Sequence, residues 1–244
     1  MKSSLLTHLL DCTSPRRCTI CTRRLSANES VVCASCHLHL PHTHFWLTPY
    51  DNPMARLLWG QVPLAGGQGE ERPNNVERVA ALFFYEPHAP ASKAIYDLKY
   101  HGRRSIGPAM GHVAAKTMAA SGFFDGIDII VPIPLTRRRQ WQRGYNQSTE
   151  IAKGVSLETG IPIGHDIVKR TSFSRSQTQL QAWERKSNVE NVFTLLAPGK
   201  ARGRHILIVD DIMTTGATAG SCARLLCKAG DVRISVLTLG FTKH

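Results

Sequence analysis

The residues best suited to chemistry lie in one run late in this 244-residue chain, His205-Ile-Leu-Ile-Val-Asp-Asp-Ile-Met-Thr-Thr-Gly-Ala-Thr218. An apolar stretch leads into Asp210 and Asp211, and these into a tight Thr214-Thr215-Gly216-Ala217-Thr218 turn. Gly216 permits the turn and a close approach of backbone N–H groups. A helix starting there would offer unsatisfied N–H donors and its positive dipole end, so an anion fits. The threonine hydroxyls add donors. Asp210 and Asp211 sit one sugar's length away, where adjacent carboxylates can accept from two ribose hydroxyls or hold a divalent cation. The ligand implied is a 5-phosphorylated ribose.

A second constellation lies near the start. Cys18-Thr-Ile-Cys21 and Cys33-Ala-Ser-Cys36 are two CxxC knuckles separated by eleven residues. Together they can point four thiolates at one ion, a tetrahedral shell that suits structural Zn²⁺ and leaves no open position for catalysis. The spacer is a little shorter than in most zinc ribbons but long enough for a hairpin, with Ser26 and Asn28 as turn residues. Cys12 has no knuckle spacing and reads as non-ligating. His37, His39, His42 and His44 follow, in a stretch (HLHLPHTH) that alternates like a short strand until Pro41. They read as a polar tail around the ribbon, with a second metal as the alternative. Arg16, Arg17, Arg23 and Arg24 surround the knuckles, either as a contact surface for nucleic acid or protein or as a solvated face.

Further charge is concentrated between these two stretches. Arg137, Arg138, Arg139 and Arg143 suit bidentate phosphate contact, and Trp141 and Tyr145 interleave with them in a pattern that suits base stacking. Lys169, Arg170, Arg175, Arg185 and Lys186 lie in a connection rich in Ser, Thr and Gln that reads as a mobile hood over a site. Cys222 and Cys227, five residues apart, read as core packing.

These groups must be positioned by regular elements. Strands are expected over 76–85, 127–134, 205–209 and 232–239. Helices are expected over 90–100, 107–120, 145–158 and 217–229, the last stopped by Gly230. Residues 54–60 read as one or two helical turns. Leu5, Leu6, Leu9 and Leu10 fit one face of a short amphipathic helix. Apolar strands alternating with helices predict an α/β fold with a parallel sheet, whose ligands bind beyond the carboxyl ends of the strands. A Pro- and Gly-rich stretch marks the boundary. The expected organisation is a zinc-ribbon module at 1–60, a linker at 61–75 and an α/β domain at 76–244.

The run VDDIMTTGAT resembles the PRPP-binding motif of type I phosphoribosyltransferases. A four-cysteine knot ahead of such a domain resembles the ComF family, which is associated with natural competence and DNA uptake. The segments IYDLKYHGR (95–103), VPIPLTRRRQWQRGYNQS (131–148) and KRTSFSRSQTQLQAWERKSNVENVF (169–193) fit the same family, so the resemblance spans nearly the whole chain. It implies that Asp210 and Asp211 bind ribose hydroxyls and that Thr214, Thr215, Gly216, Ala217 and Thr218 bind the 5-phosphate, with Mg²⁺ accompanying PRPP. It implies that Pro132, Ile133, Pro134 and Leu135 occupy the place of the pyrophosphate-binding loop, where related enzymes often use a non-trans peptide. It also brings Lys99 to the site.

Composition bounds the role. Lys and Arg number 30 against 18 Asp and Glu, a net charge of +12, which argues for polyanionic company. No apolar run is long enough for a transmembrane helix, and the N-terminal stretch is too short and polar for a secretory signal, so a cytoplasmic location is expected. Two functions follow. One is a binding module for PRPP and single-stranded DNA that supports DNA uptake alongside uptake-machinery proteins. The other is a transferase moving phosphoribosyl from PRPP to a nucleobase or amine. No purine- or pyrimidine-reading signature is evident, and the chain begins Met1-Lys2 rather than with a cysteine nucleophile that would release ammonia from glutamine.

Overall fold

The computed structural model describes residues 15–62, 75–171 and 192–243. The amphipathic Leu5–Leu10 stretch, Cys12, most of the linker and the greater part of the hood (Arg175, Arg185 and Lys186 included) lie outside the described residues.

Long apolar runs form the sheet because strands covered on both faces need no alternation. β1 (Val76–Phe84), β6 (Arg233–Phe241), β5 (His205–Met213) and β2 (Ile129–Pro132) pair in that spatial order, every pair parallel. Their side chains make one core, with Val79, Leu82, Ile130, Ile206, Ile208 and Val236 fully buried. The expected strand at 205–209 runs on through both aspartates to Met213, since Asp210 and Ile212 keep register with Thr238 and Gly240 of β6.

Most expected helices form near their predicted limits. α1 (Ala34–Leu38) and α2 (Pro53–Trp59) precede the sheet. α3 (Lys93–Tyr100) and α4 (Ile106–Ala119) lie between β1 and β2, and α5 (Arg137–Arg143) and α6 (Gln147–Thr159) follow β2. α7 (Pro198–Ala201) and α8 (Ala217–Cys227) flank β5. The four-residue segment 198–201 and the Arg-rich α5 are too short or too polar to show a 3.6 period, and neither is expected from pattern. The same holds for β3 (Val168–Arg170) and β4 (Phe193–Leu195), an antiparallel pair outside the main sheet.

α4 and α6 pack backbone against backbone. A Cβ on Gly154 would meet Pro108 O at 1.9 Å, and one on Gly111 would meet Ile151 O at 2.1 Å. The absence of side chains there is what lets α6 approach, and α6 in turn rests on β5 and β2.

The edge of β1 is covered by the chain that leaves the cysteine knot. Phe84 N–H donates to Pro41 O, Thr43 N–H to Leu82 O, and Val79 N–H to Pro49 O. That satisfies an edge that would otherwise invite pairing. Leu40, Phe45, Trp46, Met54, Leu58 and Val62 share the core of the sheet. The strand expected in HLHLPHTH is not formed. His37 and Leu38 belong to α1, started by the Cys33 cap, and only His42 bridges to Phe83. Among the described residues no helix is long and apolar enough to cross a membrane.

Candidate functional site

The cysteine knot is built locally. A turn closed by Glu29 N–H on Ser26 O reverses the spacer, and a bridge pairs Arg17 with Arg24. Glu29, which pattern reading passes over, holds the turn: its carboxylate accepts from Ser26 N–H at 2.8 Å and Ala34 N–H at 2.7 Å. The sulfurs of Cys18, Cys21, Cys33 and Cys36 all lie within 4.8 Å of one another. Cys21 Sγ and Cys33 Sγ are 3.7 Å apart. A tetrahedron with metal–sulfur bonds of about 2.3 Å has edges of about 3.8 Å, so the donor set fits zinc. Cys33 N–H and Cys36 N–H each donate to a neighbouring sulfur at 3.4 Å. Burial opposes ionisation of Cys18, but backbone N–H groups bring it down to about 7, whereas burial and the neighbouring thiols push Cys36 up. Four thiols this close ionise together only around a cation.

The four histidines do not gather as ligands. His37, His42 and His44 stack ring on ring with Trp46, at 5.1–5.7 Å between centroids. Among the described residues the four cysteines are the one cluster of three or more His, Cys, Asp or Glu side chains placed to hold a metal ion.

The second site stands at the carboxyl end of the sheet. Successive strand residues face opposite ways, so Asp210 and Asp211 diverge. Asp210 Oδ1 accepts from Ser148 Oγ at 2.8 Å and from Asp211 N–H at 2.9 Å. Asp211 Oδ1 pairs with Lys99 Nζ of α3 at 2.9 Å. Desolvation first, and then the Asp211 charge, push Asp210 up to about 7 against the pull of Ser148 and Lys99. Such a carboxyl is poised to gain from a cation or a donor.

Behind the carboxylates the chain turns through Thr214 and Thr215, both exposed, to Gly216. Gly216 has φ of +76°, and a Cβ there would meet Met213 Cε at 2.8 Å and Leu57 O of α2 at 3.4 Å, so the turn passes close to α2. No side chain caps α8 at this residue. Asp210, Thr214, Thr215, Gly216, Ala217 and Thr218 line one hollow of about 280 Å³.

Residues 132–135 continue β2 beside it. Ile133 N–H donates to Val209 O at 3.0 Å, and Asn146 Nδ2 donates to Ile133 O at 2.9 Å. The peptide bonds of the described residues are trans, including those of Pro132–Leu135. The non-trans peptide of related enzymes is therefore not found, and the backbone of Ile133 is engaged on both sides as it stands. Asn146 and Ser148 reach the site from the start of α6. Only their place in the GYNQS segment could have marked them.

The arginines separate. Arg137 lines an open groove with Pro134, Leu135, Arg104, Lys169 and Arg170, enclosing about 1450 Å³. Arg138 and Arg139 are exposed on α5. Arg170 is held below its ordinary value by burial and then by the Arg139 charge, and it also feels Asp210. Groove and hollow are therefore electrostatic neighbours. Arg143 turns away, donating to Gln147 Oε1 at 2.9 Å and lying 5.4 Å over the Tyr100 ring. Tyr145 is not a stacking residue: it is buried, and its hydroxyl donates to Leu98 O at 2.5 Å. Trp141 is 87% exposed. Cys222 is buried in the core, as expected of a packing thiol.

A parallel sheet ending in paired carboxylates, a threonine–glycine turn and a helix N-terminus is a phosphoribosyltransferase-like fold. The relatives narrow this. The chain is 30% identical over 225 residues to the DNA utilization protein YhgH of Escherichia coli K12, covering 91% of this chain and 88% of that one. It is 37% identical over 110 residues to Competence protein F of Haemophilus influenzae, covering 45% and 48%. To Competence protein ComFC of Bacillus subtilis it is 31% identical over 102 residues, covering 42% and 39%. The chain belongs to the ComF family. No protein-family model matches it. Among solved structures, glutamine PRPP amidotransferase from Bacillus subtilis superposes with a TM-score of 0.43 at 19% identity, covering 58% of this chain and 30% of that one.

Proposed function

We propose that this ComF-family protein acts in natural competence by binding PRPP with Mg²⁺ at the end of β5 and by holding single-stranded DNA. It would do so in the cytoplasm, beside proteins of the uptake machinery. One observation carries the reading. Asp210 and Asp211 diverge from β5, and Asp210 joins Thr214–Thr218 in lining a hollow at the start of α8, where Gly216 holds the cap position. Asp210 and Asp211 would accept from the ribose hydroxyls and hold the Mg²⁺. The turn N–H groups and threonine hydroxyls would hold the 5-phosphate. Residues 132–135 would face the diphosphate. In the knot, Cys18, Cys21, Cys33 and Cys36 would hold Zn²⁺, which supplies folding free energy rather than chemistry. The groove is open and carries Arg104, Arg137, Lys169 and Arg170, a lining that suits a polyanion.

Titration calorimetry with PRPP and Mg²⁺ tests the pocket. The expected result is saturable binding that needs Mg²⁺ and is lost in Asp211→Asn. Binding unchanged in that variant overturns it. Salt-dependent affinity for a single strand, weakened by charge reversal at Arg137, Arg138 and Arg139, tests the DNA arm.

The second reading is an active transferase. Its support is Arg170, a half-buried guanidinium that feels the charges of both Arg139 and Asp210. It would stabilise a departing diphosphate. Pyrophosphate released from PRPP across a panel of nucleobases and amines, and abolished by Asp211→Asn, would establish turnover.

A further inference from the structure

We propose that the exposed rings of α3, joined to α5 through Arg143, form a stacking platform for the bases of a single-stranded nucleic acid. The proposal rests on the single-strand reading above and adds where and how the bases are held.

Four observations carry it. Tyr96 and Tyr100, one helical turn apart on α3, are 50% and 62% exposed, although large aromatic rings ordinarily bury most of their surface. Their centroids are 5.0 Å apart, and His101 meets Tyr96 edge-on at 5.2 Å. Arg143 of α5 lies over Tyr100, which fixes one ring face and ties the two helices together. Trp141, two residues before Arg143 and so on another face of α5, is almost fully exposed and offers a further ring to a strand passing that helix.

The chemistry of the surroundings selects the partner. Arg137, Arg138 and Arg139 are exposed on α5, and so are Arg103 and Arg104 beyond the end of α3, where Arg104 also pairs with Glu150 at 2.9 Å. Asp97, the acid of α3, is buried and already holds Lys93, His101 and Arg103 at 2.9–3.1 Å. Aromatic faces set among arginines suit unpaired bases and their phosphates, because every base has a π-face and stacking tolerates any sequence. The knot is a poorer candidate despite its basic composition. Arg16 donates to Glu29 O and Ser26 O, Arg17 to Thr22 O, and Arg23 lies 3.9 Å from Glu29. Lys99, between the two tyrosines in sequence, reaches inward to Asp211, so the helix that carries the platform is tied to the paired carboxylates.

The test is fluorescence anisotropy of the full chain with a labelled oligothymidylate of about 20 nucleotides, and with a duplex of the same length. Tyr96→Ala/Tyr100→Ala is expected to weaken single-strand binding at least about tenfold, on the scale of losing base stacking. Duplex affinity and the salt slope should stay unchanged, since the rings neutralise no phosphate. Tyr96→Phe/Tyr100→Phe should bind as the unaltered protein does. Ultraviolet crosslinking of the unaltered protein to the same oligonucleotide should mark Tyr96, Tyr100 or Trp141, and this arm does not depend on any variant folding.

The outcomes are distinguishable. If the unaltered protein binds no single strand, the underlying reading fails and the platform with it. If it binds and the double alanine variant binds within about twofold, or loses duplex affinity equally, or if crosslinks fall only in the knot, the platform alone is overturned.

Discussion

The cysteine knot and the carboxylate turn are both small sites held in fixed geometry, but by opposite means. The knot has almost no core of its own: Cys18, Leu25 and Cys33 are its buried apolar residues, and Glu29 and backbone N–H groups do the rest. The hydrogen-bond partners of its cysteines and of Glu29 all lie within the knot, Val31 packs into the main core, and four thiolates supply the cohesion once a metal is present. The turn at 210–218 stands on the main core. Its neighbours arrive from far along the chain: Lys99, Ser148 and the Leu57 carbonyl. Ligation holds the first site, and packing of remote elements holds the second. The two should therefore fail independently.

The sharpest break in that comparison is metal removal. Chelation, or Cys33→Ser, should unfold residues 15–39 while leaving the sheet folded, because metal binding to such knots carries about 10 kcal/mol or more of folding free energy. Hydrogen exchange should show loss of protection confined to the knot. Global melting on chelation would mean that the two regions are one cooperative unit through the Leu40–Val62 contacts.

Gly154→Ala attacks the second site through its scaffold. A Cβ 1.9 Å from Pro108 O would force α6 off α4 and carry Ser148 away from Asp210. A loss of about 3 kcal/mol is expected in denaturant unfolding, with metal stoichiometry at the knot unchanged.

Asp210→Asn sharpens the contrast from the other side. Asp210 titrates near 7 in the fold and near 4 when unfolded, so its charge opposes folding above pH 7. The amide should stabilise the unliganded protein by about 1–2 kcal/mol at pH 8. That gain should vanish as the pH falls from 7 toward 4, where the native carboxyl holds its proton. Thermal melts across that range check the sign, and PRPP affinity should be lost at the same time.

The smallest expected effect is acid sensitivity in the sheet. Burial, with Arg78 and Arg233 nearby, brings His205 down to about 4, while its Nε2 meets Ser235 Oγ at 2.8 Å. The unfolded chain takes up that proton first. Stability should fall as the pH drops from about 6.5 to about 4, by about 1 kcal/mol at pH 5.5. His205→Gln should flatten that part of the profile.

The residues that were legible in advance share a property: their partners are near in sequence. The two CxxC knuckles, the Thr-Thr-Gly-Ala-Thr turn and the alternation of apolar strands with helices are local patterns, and the structure forms each of them. What was misread or missed depended on distant contacts. Tyr145 sits among arginines in sequence, yet its hydroxyl finds Leu98 O forty-seven residues away and it turns inward. His37 reads as part of a strand until Cys33 caps a helix before it. Tyr96 and Tyr100 look like ordinary helix residues until Arg143 comes over from α5.

By itself the sequence determined the fold class, the four metal-ligand candidates and the order of carboxylates, turn and helix, because strand and helix periods and turn stereochemistry are set by neighbouring residues. The family resemblance brought Lys99 to the site, but only the tertiary structure decided that it meets Asp211 and that Ser148 meets Asp210. Lys99 and Ser148 approach Asp211 and Asp210 because α3 and α6 are packed at the carboxyl end of β5, and α6 comes that close only where Gly111 and Gly154 leave room. Burial then raises Asp210 and turns an ordinary acid into one that gains by meeting a cation.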